Sequence, residues 1–242
     1  MYIKTRGIVL RVIKYSDRSN IVDLYTAKQG RCAVIVNIPK SSRSKVKSSL
    51  FQPLCILDLN LNKSNNANLY RIGDVKFSYV FSSIPYNPLK SAITFFIAEF
   101  IYCAVKEEGE SEALFSYLVN SIKWLDESEE FFANFHLVFM MRLSLFLGLY
   151  PNIENYREGD YFDLLNASFV RTKPTSHHYI LEPLEASHIV KIMRMNYETM
   201  YLFKFSRKER SRILSILNEF YKIHIPGFSD LKSLDILKEL FD

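Results

Sequence analysis

The sequence predicts an α+β chain in two parts: a closed barrel of five short β-strands over residues 1–81, then an all-helical region over residues 82–242 with a small irregular insertion at about 150–182. Three observations carry this. Apolar residues alternate at period 2 in five runs broken by polar turns, and after Pro85 and Pro88 the period changes to about 3.6. Both faces of the five runs are partly apolar, as in a sheet that closes on itself and leaves no free edge. At 242 residues the chain suits two compact units, and its 48% hydrophobic and 14% aromatic content supplies a packed core.

The first run, Thr5–Tyr15, sets Ile8, Leu10 and Val12 on one face of an extended chain. Ser19–Thr26 pairs Ile21 with Tyr25 and Val22 with Leu24. After Gly30, Cys32, Val34 and Val36 oppose Ala33 and Ile35. Leu50–Leu61 aligns Phe51, Cys55, Leu57, Leu59 and Leu61, and Tyr70–Val80 aligns Val75, Phe77 and Tyr79. Five such strands fit the OB-fold, a scaffold that often binds single-stranded nucleic acid on a face flanked by its first-to-second and fourth-to-fifth strand loops. Those loops are Ser16–Asn20 and Asn62–Asn68. Ile38–Ser49, with four cations and no acid, reads as an exposed arm or short helix.

Asn87 as cap and Pro88 at the first helical position start a helix that runs through Lys106. A second helix is expected over about Ser111–Leu125, and a third from a Ser128 cap to about Leu147; these three are expected to form one bundle core. Gly148–Pro151 stops the third. Asn152–Leu181 is short-patterned and polar. Pro183 opens another helix with Ile189, Val190, Ile192 and Met193 inward, Ser206 and Glu209 form a capping box for the next, and the last is expected over Ser229–Phe241.

Charge is unevenly spread. Residues 1–50 hold eleven Lys or Arg against Asp17 and Asp23, a net of +9 in a chain of +5, so the rest sums to −4. A concentrated positive field attracts polyanions and weakens with salt. The candidate DNA contacts on the barrel are therefore Lys4, Arg6, Arg11, Lys14, Arg18, Lys28, Arg31, Lys40, Arg43, Lys45 and Lys47. Arg207, Lys208 and Arg210 join them, because cations in the first turn of a helix oppose its dipole and need a counter-charge. That counter-charge is either phosphate or the acid-rich stretch Glu107–Glu130. Tyr2, Tyr15 and Tyr25 are either stacking surfaces for bases or packing groups.

Other chemistries find little support. Cys32, Cys55 and Cys103 are far apart and odd in number, which suits a reducing compartment better than a disulfide framework or thiolate zinc site. His177–His178 match no trusted metal spacing and are expected as exposed loop residues. No catalytic carboxylate pair, nucleophile triad or phosphate loop stands out, and Gly numbers only 7, so an enzyme is not expected. Phe131–Tyr150 is long enough to span a bilayer, but Asn134, His136 and Arg142 interrupt it, so a buried helix is expected. The N-terminus shows no secretory pattern, and a cytoplasmic, nucleoid-associated protein is expected.

Four stretches, in order, resemble the RecO family of bacterial recombination mediators. "GIVLRVIKYSDRSNIVDLYTAKQG" is similar to the family's first hairpin, and "SLFQPLCILDL" to its fourth strand with the pair Gln52–Pro53. "GLYPNIENY" resembles the helix exit, and "YKIHIPGFSDLKSLDIL" the closing pattern at Tyr221, His224 and Leu231–Ser233. The resemblance implies an OB-fold, then an all-helical domain with a zinc-finger-like insertion. It also implies binding of single- and double-stranded DNA, strand annealing, cooperation with RecR, and action on single-strand-binding protein that lets RecA load. Many members carry four zinc cysteines in the segment matching Tyr150–Leu181; this sequence has none there, so no cofactor is expected. The alternative is a protein–protein adaptor using the barrel and an apolar helical groove, with incidental DNA contact.

Overall fold

The computed structural model describes residues 2–37, 48–63, 69–106 and 108–241. The chain forms two compact units, Met1–Glu127 with Leu231–Leu237, and Ser128–Asp230 with Lys238–Asp242.

In the first unit β1 (Tyr2–Lys14), β2 (Ser19–Thr26), β3 (Gly30–Asn37), β4 (Ile56–Lys63) and β5 (Leu69–Phe77) close a barrel in the order β1-β2-β3-β5-β4. Every pairing is antiparallel except β3 with β5, which run parallel over Ala33–Leu69, Val34–Tyr70 and Ile35–Arg71. Val22, Leu24, Val34, Val36, Leu57 and Leu59 fill the interior. The expected common face of Ile8, Leu10 and Val12 does not form. A bulge between Val9 and Arg11 inserts a residue and changes the phase, so Val9 enters the barrel core and Val12 lies at the surface. Ile8 and Leu10 are buried outside that core, and α1 (Pro88–Ala104) lies against β1.

The fourth run is strand only from Ile56. Ser48–Phe51 is a 3₁₀ turn and Leu54 is left-handed at φ 61°, yet Phe51 and Cys55 still reach the core. α1 starts as the sequence indicates: Asn87 accepts the N–H groups of Leu89 and Lys90, and Pro88 holds the first position. α2 spans Glu112–Glu127. Both helices fall in the barrel's unit and the third in the other, because an apolar helical stripe specifies burial without naming what it is buried against.

In the second unit α3 (Phe135–Phe146), α4 (Pro183–Arg194) and α5 (Arg207–His224) pack on one another. Ser128 does not cap α3. Phe131 is left-handed at φ 63°, a 3₁₀ turn covers Phe132–Asn134, and Asn134 Nδ2 donates to the carbonyls of Met200 (3.2 Å) and Phe203 (2.9 Å), which fixes the entry to the helix. α3 is buried on nearly every side, and among the described residues no helix is long and apolar enough to cross a membrane. Between α3 and α4 in sequence, β6 (Tyr161–Asp163), β7 (Ser168–Val170) and β8 (Ile180–Leu181) make a small sheet ordered β7-β6-β8. α5 carries the expected Ser206–Glu209 capping box.

The last helix, α6, covers Ser233–Phe241 and so starts later than Ser229. Its cap comes from α1: the Glu99 carboxylate accepts the N–H groups of Lys232 (3.0 Å) and Ser233 (2.8 Å).

Burial in the second unit sets a pH dependence. Burial, aided by the Arg210 charge, pushes His136 on α3 down from 6.5 to about 3, and burial also lowers His188 on α4. The unfolded chain takes up these protons near the ordinary histidine value while the folded chain resists, so stability is full above about pH 6.5 and falls as pH drops. His136 alone should cost about 2 kcal/mol by pH 5. Urea midpoints measured from pH 7 to 5 check this, and His136→Asn should flatten the slope.

Candidate nucleic-acid interface

Strand alternation and one tight turn build a basic cleft on the barrel. Lys4 and Arg6, two apart on β1, share its outer face, and Lys28 sits on the β2–β3 turn, where Thr26 Oγ1 accepts the Gln29 N–H at 3.0 Å. Lys76 on β5 is out of phase with buried Val75 and so points outward. These four cations line a cleft of about 680 Å³ together with Asp58, Asp74 and Glu112, with Leu59, Val75 and Phe115 among its apolar walls. Lys76 stands 3.7 Å from Asp58. Lys4 and Lys28 have no acidic partner among the described residues, which leaves their charge open to solution. Arg6 lies 5.5 Å over the ring of Phe115, so α2 holds its guanidinium in place.

Arg11 and Arg31 are occupied differently. Their guanidinium carbons stand 4.6 Å and 4.0 Å from the centre of the Tyr102 ring on α1, and Arg11 is 3.5 Å from Asp23. Burial raises the Asp23 carboxyl, and the two arginines oppose that rise. Here the charges serve packing between strand and helix, each worth about 0.5–2 kcal/mol. Lys14 and Arg18 are exposed near the tip of the β1–β2 hairpin; the 3.8 Å pair of Lys14 with Asp17 is solvated and contributes little. Lys40, Arg43, Lys45 and Lys47 lie outside the described residues, as do residues 64–68 of the fourth-to-fifth loop.

In the second unit Arg207 and Lys208 line an open depression of about 460 Å³ on α5 with Ser211, Arg212 and Ser215. Arg210 is turned inward, its Nη1 donating to the Phe205 carbonyl at 2.6 Å, and burial lowers its pKa. Arg212 pairs with Glu185 of α4, so the counter-charge for this turn is partly local.

Of the three tyrosines, Tyr2 and Tyr15 are exposed. Tyr25 is a core residue: its hydroxyl donates to the Gly109 carbonyl at 3.1 Å, and burial with the nearby Glu108 charge pushes it up to about 12. Lys76 lies outside the cation-rich first 50 residues that mark the expected contacts; its phase opposite Val75 is the signal in the sequence that turns it outward.

The small sheet tests the zinc that the family resemblance raised. Asp163 Oδ1 accepts the N–H groups of Leu165 (2.9 Å) and Asn166 (3.2 Å), and Oδ2 accepts Asn166 Nδ2 (2.7 Å) beside His177 Nε2 at 3.4 Å. His177 is thus half-buried against Asp163 and not an exposed loop residue, while His178 is exposed with its ring near Tyr179. Asp160 accepts the Arg157 N–H at 2.8 Å, and His224 Nε2 donates to the Leu164 carbonyl at 2.7 Å. These oxygens are committed to turns, and among the described residues no three His, Cys, Asp or Glu side chains converge, so the residues present do not fit a tetrahedral zinc. Phe169 packs on Tyr156 and Phe162, giving the sheet an apolar centre.

Residues 1–81 match the family described as Recombination protein O N terminal, and residues 85–235 match Recombination protein O C terminal. The chain is 54% identical over 239 residues to a protein of Bacteroides fragilis named DNA repair protein RecO, with 99% of each chain covered. It is similar to proteins of the same name from Phocaeicola vulgatus, at 55% identity over 98% of each chain, and Flavobacterium psychrophilum, at 34% over the full length of both.

Proposed function

As the chain belongs to the RecO family, whose role is DNA repair and recombination, we propose that it works there as a DNA-binding mediator and not as a catalyst. The observation that supports this most is the convergence of Lys4, Arg6, Lys28 and Lys76 on one barrel cleft. Cations so placed neutralise phosphates and release counterions, which gives weak sequence preference and steep salt dependence. Single and double strands then both bind. Annealing of complementary strands follows once the repulsion between two phosphate backbones is screened. Arg207 and Lys208 supply a further phosphate contact on α5. With RecR and single-strand-binding protein as partners, such a protein would open coated DNA for RecA to load. The loop at 150–182 serves this role without zinc; what supports that reading is its cysteine-free donor set, with Asp163 already committed to backbone turns.

The test is anisotropy of labelled single-stranded DNA at several salt concentrations, comparing the native chain with a Lys4→Ala, Lys28→Ala, Lys76→Ala variant. Arg6 is left in place because it packs on Phe115. The variant should bind at least about tenfold more weakly, with a log–log salt slope shallower by about 2, since each single-strand phosphate contact contributes roughly 0.7. Unchanged affinity and slope would sink the cleft. Absence of binding by the native chain at low salt would leave the adaptor reading.

A further inference from the structure

β1 outruns its partner. β4 pairs with it from Tyr2 to Ile8, Val9 exchanges one more pair of main-chain bonds with Leu54 and Cys55, and past the bulge β1 continues to Lys14 beside β2 alone. The Tyr15 N–H donates to the Ser19 carbonyl at 3.0 Å, which fixes the phase of that ladder. Residues 15/19, 13/21 and 11/23 then face each other as bonded pairs, and Val12 and Lys14 turn their N–H and C=O groups away from β2. On that side no described residue pairs with them.

The side chains there are those of an open strand: Val12 is 38% exposed, Ile13 36% and Tyr15 65%. A depression of about 340 Å³, lined by Arg11, Val12, Phe51 and Gln52 among others, runs beside the edge.

We propose that this edge receives an extended acidic peptide segment of a partner protein, added as a strand beside Val12–Lys14. The outward groups repeat at roughly 7 Å, the spacing of alternate residues in a strand. Two of them are carbonyl acceptors, which a peptide N–H satisfies and a phosphate backbone does not. Charge selects the occupant. The exposed tip carries Lys14 and Arg18 against Asp17, so an acidic segment is attracted. A second copy of this chain would set Lys14 and Arg18 against themselves.

The probe is a fluorescein-labelled synthetic peptide alternating aspartate with valine, titrated into the full chain and followed by anisotropy. It is compared with the same peptide N-methylated at alternate residues, in each of the two phases, and with a version carrying lysine for aspartate. The acidic peptide should bind, one N-methylated phase should bind at least about tenfold more weakly, and the lysine version should not bind. Val12→Pro should weaken binding comparably with unchanged circular dichroism, because the Val12 N–H takes no part in the β1–β2 ladder. Lys14→Glu with Arg18→Glu should do the same. No binding of the acidic peptide overturns the proposal. So does equal affinity for both N-methylated phases, which would mean attraction by charge alone. Binding of oligodeoxythymidylate that Lys14→Glu with Arg18→Glu abolishes, with the peptide ignored, would assign the tip to nucleic acid and overturn it too.

Discussion

Replacing Asp126 by alanine should lower the stability of the first unit by about 3–5 kcal/mol. Asp126 closes α2 and is 1% exposed. Its carboxylate accepts the N–H groups of Ser82 (2.8 Å), Ser83 (2.9 Å) and Ile84 (2.9 Å), and the hydroxyls of Ser82 (3.0 Å) and Tyr79 (3.0 Å). Its own carbonyl accepts Nζ of Lys90, which is 2% exposed, at 3.0 Å. The segment leaving the barrel is therefore bonded to one side chain. Burial by itself would raise this carboxyl, but the backbone donors outweigh it and hold the pKa below the ordinary value. A depressed carboxyl contributes stability that is present above its unfolded value of 3.8 and lost as pH falls below it. Alanine leaves the N–H groups of Ser82, Ser83 and Ile84 without their acceptor, while the backbone carbonyl that accepts Lys90 remains. The conservative change Asp126→Asn keeps one acceptor oxygen, and its stability should fall between those of the native chain and the alanine variant. Urea unfolding decides the matter, and a loss under about 1 kcal/mol for alanine would refute the account.

Gly30→Ala should cost about 2–5 kcal/mol, from a left-handed backbone and from overpacking. Gly30 has φ +57°, and a Cβ there would stand 2.4 Å from the carbonyl carbon and oxygen of Gly109 and 2.7 Å from the Glu108 carbonyl. Backbone blocks backbone, so no rotamer change relieves it. The same approach lets the Tyr25 hydroxyl reach Gly109. Gly109→Ala is the control: a Cβ at that position meets nothing within 4 Å, and its effect should be small. Thermal melts of both variants separate close approach from a general intolerance of alanine in this loop.

The strands were legible because period 2 and Gly or Asn punctuation are local, and the Asn87–Pro88 start and the Ser206–Glu209 box were legible for the same reason. The start of α3 was not, because it depends on Asn134 bonding carbonyls at Met200 and Phe203, far along the chain. Nor was the division of labour among the cations. Lys4 and Arg11 look alike in sequence; what separates them is Tyr102, which stands under Arg11 and Arg31 from a helix far along the chain. Register suffered where a bulge intervened, as between Val9 and Arg11, since one extra residue exchanges the two faces of a strand.

The Glu99 cap on Lys232 and Ser233 has a consequence for how the chain is made. The first unit needs residues 231–237, so a ribosome must translate the whole of Ser128–Asp230 before that unit can be completed. A nascent chain stalled within α5 holds a barrel with α1 and α2, but Glu99 has no helix to cap and the surface beneath Leu231 and Leu237 is still wet. Vectorial synthesis thus builds the barrel first, and the bonds that tie Lys232 and Ser233 to Glu99 form last.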